Sequence, residues 1–491
     1  MLPKTPAEPL MRSALLLLIL AVFLLIPLRI IAYGYMPPDD ALRHAAFAVV
    51  DRQWGDVILL DPRFPAWMDL HPSWHGFLRA LHTAFGWDQA RLVSVAVVLA
   101  FWTFTFAGAI ASGNPPAWFL ACALMAVLEP PLLGKLALGR PLFFTMTAVA
   151  VVLLVWTRPR PLRLPVEIGV VFLALAVNVL MHPSAWYLWV IAVPPLVVCR
   201  HWRALFSLAV GWSLALLVAW AVNGLYNGLV LPIEMLRVAL LEEKTLGPNL
   251  VSEFQPTGAP MLGMLAVAGT LLARRMAGAD LRQEIFRVDL ALFVVGWIMG
   301  LFVGRFWIEW GLPALAVWST RQIAEGAGVR LSGLARKTDT ALLFGVAAAT
   351  LYLAQTADVG GRYTNALRNP LLIAPVEDFA TELPEPGGVL YSTDMTAFYV
   401  IFQRLPDLQF RFATAMEPGV MPAADLKVMR AIQTTGLVRD YEPWFDRMTR
   451  KDRVLLRWPT QPQWPGMEFR PFYGAWMGRK IDMEKTVSPT Q

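Results

Sequence analysis

The chain has 491 residues, of which 57% are hydrophobic and only 16% charged. Soluble globular domains carry about 25% charged residues, so most of this chain is suited to lipid rather than water. Its net charge of +6 does not point to nucleic acid, because the basic residues gather in short links between apolar segments, a pattern that sets membrane orientation.

The first apolar run, residues 13–31, is long enough to cross a hydrocarbon core of about 30 Å. It is followed by LRIIAYGY rather than a small-residue cleavage site, which reads as a retained signal anchor. Ten further spans are expected at about 92–111, 117–133, 140–156, 166–181, 184–199, 204–222, 260–273, 288–304, 306–320 and 340–356. Four alternate links, at 157–163, 199–203, 273–287 and 320–337, are all basic. The positive-inside rule makes that set cytoplasmic, so the amino terminus is expected inside and everything after the eleventh span outside. The two cysteines, Cys122 and Cys199, fall in or at the end of apolar segments and leave no disulfide framework for an external domain.

The other side collects the titratable groups. The external loop 34–91 holds seven aspartates, no glutamate and four of the six histidines, and only His201 is expected on the cytoplasmic side. The loop opens with PPDDALRHAAFAVVDRQWGD, where Leu42, Ala45, Ala46, Val49 and Val50 recur at helical spacing after Asp39 and Asp40. This predicts a short amphipathic helix lying in the interface plane, capped by an aspartate. A cap needs one carboxylate, so the second is left for chemistry or orientation. Next, HPSWHGFLRALHTAFGWD at 71–88 begins with an X-Pro turn and continues as a helix. His71 and His75 at i, i+4 could share a face and bind metal, but no third ligand sits at a fixed spacing, and hydrogen bonding or substrate contact is the favoured reading. The tail from about 357 predicts a small external α/β domain, with strands at 387–392 and 453–458 and helices after Thr393 and near 422–435. Its Trp444, Trp464 and Trp476 are expected against the membrane part or the lipid surface.

These residues resemble the membrane glycosyltransferases of the GT-C fold, especially the protein O-mannosyltransferase and lipid A aminoarabinose transferase group. The matching positions are Asp39-Asp40, Ala45, Gly55-Asp56, His71-Pro72 and Phe85-Gly86, with a weaker likeness in GRFWIEWGLPALAVW at 304–318. The resemblance covers 12–160 best and does not extend to the tail. Two departures stand out: Asp-Asp replaces the usual Asp-Glu, and LGRP with Arg140 stands where a second acidic residue often precedes the fourth span. Glu129 is a candidate to replace that acid.

The resemblance implies a GT-C-like α-helical polytopic membrane protein. Residues 1–356 would form the catalytic membrane domain and 357–491 an external, periplasmic domain at a bacterial inner membrane. It implies an inverting transferase that moves a sugar from a polyprenyl-phosphate donor to a glycan, lipid or protein acceptor outside the membrane, among membrane lipids and without nucleic acid. Asp39 and Asp40 would be the catalytic carboxylates, Asp39 being favoured as the base that takes the acceptor hydroxyl proton. Lys135, Arg140 and Arg305 would hold the donor phosphate; headgroup snorkelling is the plainer reading of each. His71, His75, Glu129, His182 and Glu253 are candidates for substrate contact, and Glu309 is placed to pair with Arg305 one helical turn away. No cofactor is required; a divalent cation on Asp39 and Asp40 is possible. The rival reading is a transporter or flippase of lipid-linked saccharides, which the absence of an internal repeat disfavours; an inactive scaffold is a third.

Overall fold

The structure, a computed structural model, describes residues 7–32, 39–129, 131–237, 261–326, 344–345, 347–348, 350–351, 369–414 and 417–481. It is mostly helical, with a small sheet confined to the C-terminal part. Among the described residues, four helices are long and apolar enough to cross a membrane: 13–32 within α1 (Ala7–Ala32), α5 (Gln89–Ser112), α9 (Leu164–Met181) and α11 (Trp202–Asn223). Shorter apolar helices stand between and after them, among them α6 (Pro115–Leu128), α8 (Leu142–Trp156) and Val288–Gly300. This is an integral membrane protein. The region expected as the eleventh span lies largely outside the described residues.

The helix ends follow local chemistry. Asn114 caps α6 ahead of two prolines, and Gly86 and Gly113 close α4 (Pro72–Phe85) and α5 in the left-handed conformation. The span predicted at 117–133 breaks at Glu129, and a separate short helix, α7 (Pro131–Leu136), follows. α5 and α6 meet closely because Gly108 has no side chain: a Cβ there would lie 2.2 Å from the Trp118 ring. On the face expected to be cytoplasmic, the buried Arg321 bonds Asp289 at 2.8 Å and Glu284 at 3.0 Å. That cluster ties Leu281–Ile285, Val288–Gly300 and Leu312–Gly326 together without leaving a buried charge unpaired.

The C-terminal sheet has the order β2-β1-β3-β5-β4. β1 (Val389–Ser392) pairs in parallel with β2 (Arg411–Phe412) and β3 (Arg453–Leu456). β5 (Ala475–Lys480) pairs antiparallel with β3 and with β4 (Met467–Phe472). β1 and β3 are buried along their whole length, as parallel strands covered on both faces are. The expected strands and helices are all present, with Met395–Arg404 and Ala423–Thr435 as the helices. The hairpin β4–β5, turning at Tyr473-Gly474, was not foreseen. The expectation for Trp444 is overturned. It is fully buried inside this domain with its indole N–H donated to Asp425 at 2.7 Å, because a Trp with a polar partner stabilises a small core more than it would a surface.

The sheet does not stand apart from the first external loop. Ile58 bridges Phe412 in parallel, extending the β2 edge, and Leu59 N–H donates to the Phe412 carbonyl at 2.8 Å. Helix Met395–Arg404 packs on α2 (Asp40–Val49). α2 is therefore not the interfacial helix predicted. Nine of its ten residues are buried, Arg43 and His44 included, since α4, α5 and Met395–Arg404 enclose it. Its amphipathic pattern is real, but the polar stripe faces a protein interior.

Candidate active site

Asp39 and Asp40 lie together at the start of α2, both buried. Asp39 has extended backbone and caps the helix, its carboxylate accepting the Asp40 N–H at 2.7 Å. Asp40 is the first helical residue and is paired twice: with Arg43 Nε at 3.1 Å and with Arg140 Nη2 at 2.6 Å. Arg140 Nε also lies 3.5 Å from Asp39, so one guanidinium spans both acids. Burial alone would raise the Asp40 pKa. Arg140 and Arg43, with hydrogen bonds from Arg43 and Tyr399, outweigh it and hold that carboxyl well below the usual range.

Arg140 is delivered by a tight link. Gly139 has φ +62°, and a Cβ on it would sit 2.9 Å from the Val97 backbone nitrogen. The chain after α7 can thus press directly onto α5 and point Arg140 at the aspartates. The sequence expectation gave Arg140 to a donor phosphate; the structure commits it first to the two carboxylates. The physical reason is that two buried acids need a nearby counter-charge.

Four of the external histidines form a cluster. His75 Nδ1 lies 2.7 Å from Asp69 Oδ2 and its Nε2 2.7 Å from His44 Nδ1. A carboxylate only accepts, so His75 donates through Nδ1 and accepts the N–H of His44 through Nε2. His71 is the residue preceding α4 rather than a helical partner of His75; their rings lie 6.2 Å apart, nearly perpendicular. His71 instead stacks on His182, 5.4 Å apart with planes within 10°. Its buried Nδ1 has no hydrogen-bond partner among the described residues. Burial first, then neighbouring positive charge, lowers the pKa of both His44 and His71, keeping them neutral near pH 7. Among the described residues, no group of three or more His, Cys, Asp or Glu is arranged to hold a metal ion.

A second cation stands behind His182. Arg305, on Gly304–Phe306, donates through Nε to the fully buried Glu309 and contacts His182 Nε2 at 3.2 Å. The expected Arg305–Glu309 pair is therefore present. A guanidinium only donates, so His182 accepts at Nε2 and its Nδ1–H meets Thr145 Oγ1 at 2.8 Å. Asn178 bonds the same hydroxyl at 2.8 Å and Trp189 bonds Asn178 at 3.1 Å. This buried chain fixes the imidazole, and through it the guanidinium.

The remaining candidates fall elsewhere. Lys135 is half-buried in the last turn of α7. Glu129 accepts the Gly263 N–H at 3.1 Å and joins α6 to Met261–Met276. A buried carboxylate at a helix end takes a nearby backbone donor in this way. Glu253 lies outside the described residues. Two residues that sequence reading missed come from the C-terminal domain. Tyr399 faces Asp40 as a hydrogen-bond donor, and Glu417 has Asp40, Arg43, Arg305 and Arg140 as its charged neighbours. Nothing local marks them, since both lie more than 350 positions from the aspartates in the sequence.

Solved structures align with almost the whole chain. ArnT from Cupriavidus metallidurans in the apo state matches 95% of this chain and 98% of its own, with 13% identity and a TM-score of 0.55. The same protein bound to undecaprenyl phosphate matches 94% and 97%, with 13% identity and a TM-score of 0.54. The fold is GT-C. The oligosaccharyltransferase of Archaeoglobus fulgidus, tethered with an acceptor peptide, shares this GT-C fold over 89% of this chain and 68% of its own, at 11% identity and a TM-score of 0.53. No family model and no curated protein sequence matches the chain. The GT-C likeness thus rests on three-dimensional structure, together with the few motif residues at 39–86 and 304–318.

Proposed function

We propose that the protein is a glycosyltransferase that moves a sugar from a polyprenyl-phosphate donor to an acceptor at the external face of the membrane. The observation that carries this reading is the buried Asp39–Asp40 pair with Arg140 across it and Arg305 held beside His182, in a GT-C fold. The ArnT structure with undecaprenyl phosphate and the archaeal transferase with its acceptor peptide support a lipid-linked donor and a separate acceptor. We place eleven spans with the amino terminus inside, a catalytic membrane domain at 1–356 and a periplasmic domain at 357–491, in a bacterial inner membrane.

In this reading Asp39 is the general base. Asp40 is tied to two arginines, which makes it the weaker proton acceptor and the orienting member of the pair. The Asp39 carboxylate takes the acceptor hydroxyl proton while that oxygen forms a bond to the anomeric carbon. The anomeric carbon–phosphate oxygen bond breaks on the opposite face, inverting the centre, and the electron pair leaves with the lipid phosphate. Arg305, together with Lys135, stabilises that anion. His71 and His182, stacked beside Arg305, contact donor or acceptor, and His75 with Asp69 sets the tautomer of His44.

The test is reconstituted full-length protein with a labelled lipid-linked sugar and a set of acceptors. Formation of a new glycosidic bond, lost in Asp39→Asn, is the expected result. Movement of the labelled lipid across the bilayer with no glycosidic product would make the protein a transporter instead.

A further inference from the structure

Asp69, just ahead of α4, is held in place on both sides. Its N–H donates to Asn227 Oδ1 at 3.1 Å, and its Oδ1 accepts the His71 N–H at 2.9 Å. The same carboxylate takes the Nδ1–H of His75, which lies 2.8 Å from Oδ1 and 2.7 Å from Oδ2. His75 then has only Nε2 left to accept, and that atom meets His44 Nδ1 at 2.7 Å. In a neutral imidazole one nitrogen donates and the other accepts, so each link dictates the next. His44 donates through Nδ1, which leaves its Nε2 a bare acceptor with no hydrogen-bond partner among the described residues. Both rings are buried, so neither can exchange this arrangement for bonds to bulk water.

The place of His44 gives that acceptor a use. His44 follows Asp40 by one turn of α2, on the same face. Its ring stands edge-on to His71, centroids 5.0 Å apart, and His71 stacks on His182, which holds Arg305. In an inverting displacement the sugar lies between the base and the leaving phosphate, so His44 stands beside the stretch that the sugar fills. We propose that Asp69 is a positioning residue that, through His75, keeps His44 Nε2 unprotonated, so that His44 accepts a hydrogen bond from a hydroxyl or ammonium group of the transferred sugar. This rests on the reading of the site as one that takes a lipid-linked sugar. A carboxylate at position 69 only accepts, whereas an amide keeps its oxygen on the His71 N–H and turns its NH2 toward His75. His75 must then accept at Nδ1 and donate at Nε2, and His44 in turn accepts at Nδ1 and donates at Nε2. Asp69→Asn thus reverses the polarity of the His44 edge across two rings while leaving the geometry intact, as the same exchange behind a buried histidine does elsewhere.

The experiment records nitrogen NMR spectra of the full chain in detergent at pH 8 with only the imidazoles labelled, the six histidines being assigned by single substitutions. The wild type is expected to show a protonated Nδ1 and a pyridine-like Nε2 on both His44 and His75. Asp69→Asn should show the reverse on both rings, and Asp69→Glu, which keeps a carboxylate, the wild-type pattern. Affinity is then measured for farnesyl phosphoryl mannose, glucose and aminoarabinose. The tightest of the three should bind Asp69→Asn about tenfold more weakly, because an N–H at His44 strands the sugar's own proton. Sugar-free farnesyl methyl phosphate should bind both proteins alike. A protonated His44 Nε2 in the wild type, or a doubly protonated His75, would overturn the inference. Reversed tautomers with unchanged affinity for the sugar would also overturn it while leaving the site standing. An equal loss of affinity for farnesyl methyl phosphate would make Asp69 a structural support of α4 instead. No binding of any of these lipids by the wild type would remove the lipid-linked sugar site itself and the inference with it.

Discussion

Replacing the two aspartates one at a time should separate chemistry from structure. Asn at position 39 keeps an oxygen that can accept the Asp40 N–H at the helix start, and Asn caps as well as Asp. Folding stability should then change by only about 0.5 kcal/mol, while loss of a general base lowers transfer by about 10²–10⁴-fold. Asp40 is different. Its carboxylate is the counter-charge of Arg43, whose side chain is 1% exposed, and the near partner of Arg140 at 2.6 Å. Asp40→Asn leaves a buried guanidinium without its anion, which costs about 3–5 kcal/mol. Adding Arg43→Met should return most of that loss, because removing both members of a buried pair is far less costly than removing one. The assay pairs denaturant unfolding in detergent with transfer of labelled sugar from a polyprenyl-phosphate donor. Full transfer by Asp39→Asn would refute the base assignment. Wild-type stability in Asp40→Asn would refute the argument that this ion pair holds the buried start of α2.

Three further outcomes follow from the geometry. Arg305→Ala should raise the KM for the lipid donor well above the effect of Arg91→Ala, an exposed arginine at the start of α5; equal effects would argue against phosphate recognition by Arg305. Gly139→Ala must place a Cβ 2.9 Å from a backbone nitrogen at φ +62°, costing about 1–3 kcal/mol; because the link carries Arg140, transfer should fall more than stability alone explains. Stability should also vary with pH. His44 and His71 have folded pKa values below 6.5, so the unfolded chain binds more protons below about pH 6.5. Their contribution is present above that pH and is lost as pH falls. Glu417, raised from 4.5 to about 7, acts oppositely, its contribution being lost as pH rises from 4.5 through 7. Unfolding profiles of the His44→Gln and Glu417→Gln variants should change slope in opposite directions over this range.

The sequence by itself determined the membrane character, the gathering of acids and histidines in one loop, and the helix that starts at the aspartate pair. Each depends on local terms: apolar run length, capping chemistry, and i, i+4 spacing. The Arg305–Glu309 pair was legible for the same reason, both residues lying one turn apart. The tertiary structure alone decided what those charges meet. α2 has the pattern of a surface helix, yet its polar stripe is enclosed because Met395–Arg404 packs over it. Arg140 lies across both aspartates because Gly139 allows close approach to α5. Glu129 went to a backbone N–H of another helix, while Glu417 arrived beside the arginines from the far end of the chain. Buried charges are settled by which opposite charge can come within a few ångströms, and sequence spacing carries no information about partners brought together by chain folding.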